Sequence, residues 1–75
     1  MRLFPNPASS TVTLTVNGFD GETMVEVVDM NGRTVSKLTT SNYQLMLDVS
    51  KLAQGAYFVR VTGEKATAVS RLIVR

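Results

Sequence analysis

The chain has 75 residues and a net charge of +2, from eight basic and six acidic side chains, and contains neither histidine nor cysteine. That length supports one domain, and the missing cysteine and histidine exclude disulfides, thiolate chemistry and the usual structural zinc sites. The basic residues are scattered rather than clustered, which argues against nucleic acid as a partner. No apolar run approaches the ~20 residues that a membrane helix needs.

Eleven valines and nine threonines stand against a single isoleucine. Such β-branched side chains are stiff at χ1 and pack well on a pleated surface, so the composition favours strands. In chain order, Met1-Arg2-Leu3 does not read as the opening of a signal peptide, because prolines follow at once and no apolar h-region appears. Phe4-Pro5-Asn6-Pro7 is expected to be extended, polyproline-like or a turn, since its two prolines fix φ and remove donors. Residues 1–10 are therefore an extended lead-in, and residues 11–75 the folded body.

Thr11 to Val16 alternates strictly, with Val12, Leu14 and Val16 inward. Asn17-Gly18 and Asp20-Gly21 mark a loop. Glu22 to Met30 is the next strand, with Val25 and Val27 on one face and Glu26 toward solvent on the other. Asn31-Gly32 then separates it from Thr34 to Leu38. This is a hairpin signal, and a type I′ turn with φ > 0 at both central residues is expected. Thr39-Thr40-Ser41-Asn42 reads as a polar loop, and Tyr43 to Val49 as a strand with Leu45 and Leu47 inward. Ser50 to Gly55 is a connection with room for one short helical turn. Tyr57 to Val61 follows as a strand with Tyr57, Val59 and Val61 on one side. Gly63-Glu64 suits a tight turn with glycine at its first central position, and the last strand runs from about Ala66 to Val74. Six or seven short strands with regular turn signals predict an all-β fold, an immunoglobulin-like antiparallel sandwich with Greek-key connections. Tyr57, following the bend at Gly55, fits a tyrosine corner, in which its hydroxyl bonds back to upstream backbone; a plain strand tyrosine is the alternative.

Candidate chemistry is sparse. A catalytic base would have to be Asp20, Glu22, Glu26, Asp29, Asp48 or Glu64, and no pair has a spacing that argues for acid–base work. Asp29 and Asp48 fall at strand ends, where carboxylates accept backbone N–H bonds. Asp20 and Glu22 supply too few ligands for calcium and read as a solvated loop. Phe58 beside Arg60 is the one hint of an aromatic–basic surface. In the last strand Arg71, Ile73 and Arg75 share one face, with Ile73 exposed, while Leu72 and Val74 share the core face with Ser70. This is either an edge strand guarded by charge or a strand presented to a receptor, by edge pairing or by its arginines.

Four segments carry a resemblance: Phe4 to Ser9, Asp29 to Val35, Leu47 to Val61 and Ser70 to Arg75. In this order and spacing the whole chain resembles the type A C-terminal sorting domain of the type IX, or Por, secretion system of Bacteroidota. The resemblance implies a sorting signal without catalytic activity or cofactor, carried behind an N-terminal passenger domain. It implies passage through the periplasm to the cell surface or medium, with the outer-membrane translocon and its shuttle proteins as partners. In cleaved relatives a sortase-like cysteine peptidase removes the domain and joins the passenger to lipopolysaccharide. Here the cleavage site is expected upstream of the chain. Phe4 stands where the family more often has tyrosine, and Arg71 and Arg75 where lysine is common. The expected recognition residues are Arg71, Leu72, Ile73, Val74 and Arg75, with Gly32 and Arg33 beside them. The expected structural positions are Pro5, Asn6, Pro7, Asn31, Gly55 and Tyr57. The rival functions are an accessory sandwich that binds a protein or glycan at the cell surface, and a structural module capping a neighbouring domain.

Overall fold

The computed structural model describes residues 2–5, 8–16 and 21–75. Its strands are β1 (Arg2–Phe4), β2 (Thr11–Thr15), β3 (Thr23–Asp29), β4 (Thr34–Thr40), β5 (Gln44–Asp48), β6 (Gly55–Thr62) and β7 (Thr67–Val74). They form two antiparallel sheets, one of order β1-β2-β5 and one of order β4-β3-β6-β7. The chain changes sheet between β2 and β3, between β4 and β5, and between β5 and β6, which makes the connections Greek-key. A constant-type immunoglobulin domain places its fourth strand beside the fifth; here β4 pairs with β3 instead.

The core is the set of inward positions that alternation requires. Val12 and Leu14 of β2 and Leu47 of β5 face Val25 and Val27 of β3, Tyr57, Val59 and Val61 of β6, and Leu72 and Val74 of β7. Ala8, Val16 and Val49 close the ends of this layer, and Leu3, Leu38, Leu45 and Leu52 pack around it. The shortest dimension of the molecule is 16 Å, that of two sheets ~10 Å apart with their outer side chains.

Local structure departs from the sequence expectations in several places. Arg2–Phe4, expected only as extended lead-in, pairs with β2 through Leu3↔Leu14 and its neighbours. Pro5, which has no N–H to give, follows as a bend, and Asn6 and Pro7 lie outside the described residues, as do Asn17, Gly18 and Asp20. β4 runs on through Thr39 and Thr40, the first half of the expected polar loop. The connection before β6 is a turn closed by the Leu52 amide on the Val49 carbonyl at 3.1 Å, with no helix. Gly63 donates to the Ala66 carbonyl at 2.8 Å. It is therefore a corner of its turn rather than a central residue, and it is not in the positive-φ region.

The β3–β4 hairpin is real but is not type I′. Among the described residues only glycines have positive φ, so Asn31 does not, while Gly32 sits at φ 87°. Gly32 donates to the Asp29 carbonyl at 3.0 Å, and the Asp29 amide donates to the Arg33 carbonyl at 2.8 Å. Met30, Asn31 and Gly32 thus form a three-residue loop whose last residue alone needs the left-handed region. The ladder then slips by one residue, with Val28 opposite Thr34 and Val27 opposite Ser36, and Val35 bulges between them.

Candidate recognition surface

β7 assigns alternate residues to different tasks. Leu72 and Val74 are buried, Arg71 and Arg75 are exposed, and Ile73, expected to be exposed, is half-buried. β7 is an edge strand, yet its last residues are covered. Ala8 pairs with Val74 in parallel, donating to the Ile73 carbonyl at 2.8 Å and accepting from the Arg75 amide at 2.8 Å. A strand added to this edge at residues 73–75 would have to displace Ala8.

The Gly32–Arg33 turn lies at the same end of the same sheet. One cross-strand row runs Thr34, Val28, Phe58 and Arg71 over β4, β3, β6 and β7. Three strand spacings of ~4.8 Å separate its ends, so the turn and the β7 arginine share a face without touching. Asp29 organises the turn. Its Oδ1 accepts from the backbone amides of Asn31 and Arg33, both at 2.9 Å, and its Oδ2 from Arg33 Nε at 3.1 Å. The Arg33 amide bond is foremost in holding the Asp29 carboxyl below its ordinary range. Asp48 does the same at the end of β5, where the hydroxyl and amide of Ser50 both donate to Oδ1 and lower its pKa. Both carboxylates end strands by satisfying backbone donors.

The crossover into β6 is tied down by Tyr57, only 7% exposed, whose hydroxyl donates to the Ala53 carbonyl at 2.6 Å. This is the bond that defines a tyrosine corner. Gly55 enters the strand at φ 150°, which a side chain would resist.

Glu26 contradicts its expected place toward solvent. It lies on the outer face, yet it is only 7% exposed. Arg60 donates to its Oε1 through Nε at 3.2 Å and Nη2 at 3.0 Å, and the Thr34 hydroxyl donates to Oε2 at 3.2 Å. The Arg60 bonds are the largest cause of its lowered pKa. Period-two alternation told which face Glu26 occupies, not that Arg60, 34 residues on, would lie across it; the direct pairing Glu26↔Arg60 exists only once β3 and β6 are neighbours. Among the described residues no three His, Cys, Asp or Glu side chains gather as a metal site, and no helix is long and apolar enough to cross a membrane.

The chain matches the family model described as the secretion system C-terminal sorting domain over residues 2–75. No curated protein matches it significantly. Domains of this family act as the C-terminal sorting signal for type IX secretion in Bacteroidota and are not known as catalysts. Such a signal implies interaction with the translocon and export toward the cell surface or medium. Because the family match spans residues 2–75 of an all-β sandwich, the chain belongs to the secretion system C-terminal sorting domain family and is a type IX sorting signal.

Proposed function

We propose that the secretion machinery reads the outward side chains of the last β7 segment, Arg71, Ile73 and Arg75. Leu72 and Val74 hold that segment in register, and the Gly32–Arg33 turn contributes from the same end of the sheet. The observation that carries this is the division of labour in β7: two side chains locked in the core, and two arginines exposed beside them. A guanidinium is a planar fork of donors whose geometry suits the carboxylates or carbonyls of a receptor. Since Ala8 occupies the edge at residues 73–75, recognition is through side chains rather than strand addition. In this reading the domain follows its passenger through the periplasm to the outer-membrane translocon and its shuttle proteins. Where the precursor is cleaved, a sortase-like cysteine peptidase cuts upstream of the sandwich.

The test is a periplasmic reporter fused ahead of the domain and carrying Arg71→Ala with Arg75→Ala. Thermal stability should stay within about 0.5 kcal/mol, as is usual for exposed positions, while the reporter accumulates in the periplasm. Normal export of the folded double variant would refute the assignment and direct attention to Arg33.

A further inference from the structure

The two outer faces of the sandwich differ in kind. On the three-stranded sheet the outward residues are three threonines with Gln44, Phe4 and Met46, and one cation, Arg2, is balanced by one acid, Asp48. Its aromatic residue, Phe4, already has the Arg2 guanidinium 5.7 Å from its ring centre. The four-stranded sheet presents something else. Phe58 is 37% exposed and has Val28 and Arg71 as direct cross-strand neighbours. Val69, 57% exposed, and Ile73 lie diagonal to it on β7, within reach of a ring. Around this apolar centre stand Lys37, Arg60 and Arg71. The sole acid among the described residues of the face is Glu26, whose carboxylate is taken by Arg60 and Thr34.

Whereas Arg2 and Asp48 balance on the other face, three cations against one engaged acid leave this one net positive. Glu26 does more than offset one of them. By receiving both Nε and Nη2 it holds Arg60 across β3 and β6, so the guanidinium next to Phe58 is ordered before any partner arrives. An exposed aromatic with arginines at its side, one of them preorganised by a part-buried ion pair, is the composition of a protein-docking hot spot.

We infer that the outer face of the four-stranded sheet, centred on Phe58, docks a segment of the export apparatus that is both acidic and apolar. The inference rests on the sorting reading and extends the recognition surface from the end of β7 across β6 to β4. A protein partner fits better than a nucleic acid, because single strands stack on successive aromatics and this face offers one ring.

The experiment uses the same passenger fusion in cells with a working type IX system. Phe58→Thr keeps a strand-forming residue and removes the ring. It should lower surface delivery on the order of tenfold while the purified variant still unfolds cooperatively. Lys37→Glu should lower delivery and Lys37→Arg should preserve it. Met46→Thr, on the opposite sheet and 68% exposed, should be exported like the parent. Should Phe58→Thr damage folding, Val69→Thr replaces it in the same assay. Parental delivery by the folded Phe58 or Val69 variant together with Lys37→Glu would overturn the inference. So would binding of a single-stranded oligonucleotide to the purified domain that is lost with Phe58→Thr, since that reassigns the face. The terminal-segment reading fails separately: there the Arg71/Arg75 double variant is exported normally while Phe58→Thr is not.

Discussion

Replacing Gly32 isolates backbone strain from packing. A Cβ built on Gly32 meets no atom within 4 Å, while its φ is +87°. Any cost must then come from forcing an L-residue into the left-handed region, about 1–2 kcal/mol for an ordinary side chain and up to about 3 where the region is sparsely populated. A side chain also restricts the unfolded chain, which returns roughly 0.4–1 kcal/mol, so Gly32→Ala should show a net loss of about 1 kcal/mol. Gly32→Val should lose more, because a branched Cβ crowds its own carbonyl. Gly32→Asn should lose least, since asparagine tolerates this region. For a domain of this size about 1 kcal/mol lowers Tm by roughly 4–8 °C. Thermal unfolding of the four proteins, followed by circular dichroism at fixed pH, gives the order Gly, Asn, Ala, Val. Equal melting of the alanine and glycine proteins, or a valine variant more stable than alanine, would refute the backbone explanation of this hairpin.

Two further predictions test the framework around it. Tyr57→Phe removes a buried hydroxyl and leaves the Ala53 carbonyl without that 2.6 Å bond. It should cost about 1 kcal/mol with the fold retained, and an unchanged denaturant midpoint would mean the corner bond carries no stability. Glu26, Asp29 and Asp48 all have lowered folded pKa values. Their contribution is thus fully present above the ordinary values of 4.5 for Glu26 and 3.8 for Asp29 and Asp48, and is lost as pH falls below them. Melting temperature should be level from neutral pH to about 5 and then fall. Asp29→Asn should flatten part of that fall, and a domain equally stable at pH 7 and pH 2 would contradict the assigned bonds.

What the sequence disclosed followed from short-range rules. Alternation placed Val12, Leu14, Val59, Val61, Leu72 and Val74 inside, because a strand has only two faces. The bend at Gly55 before Tyr57 pointed to the corner because its bond spans only four residues. The features that were missed depend on which strands become neighbours. The Asn31-Gly32 pair marked a hairpin but could not choose between a two-residue and a three-residue loop. Asp29 decides that, by capping the amides of Asn31 and Arg33, and the bulge at Val35 absorbs the register. The hold of Ala8 on β7 and that of Arg60 on Glu26 join residues 66 and 34 positions apart, respectively, beyond any local pattern.

The same long-range pairings explain how a short domain keeps its fold while presenting a message. The period of two lets β7 commit Leu72 and Val74 to the core without restricting what stands at Arg71 and Arg75. Ala8 then fixes the strand from its open side, so the outward side chains project from a backbone held on both flanks. Across the sheet, Glu26 does for Arg60 what Ala8 does for β7: each removes freedom from a group that faces outward. Recognition that must occur on an exposed surface gains from such ordering, because the entropy of fixing a long side chain or a strand end has been lost on folding rather than on binding. A core-facing change such as Leu72→Ala would remove both fold and message at once. Changes to outward residues, of β4 as well as β6 and β7, leave the core intact and so can test the message apart from the fold.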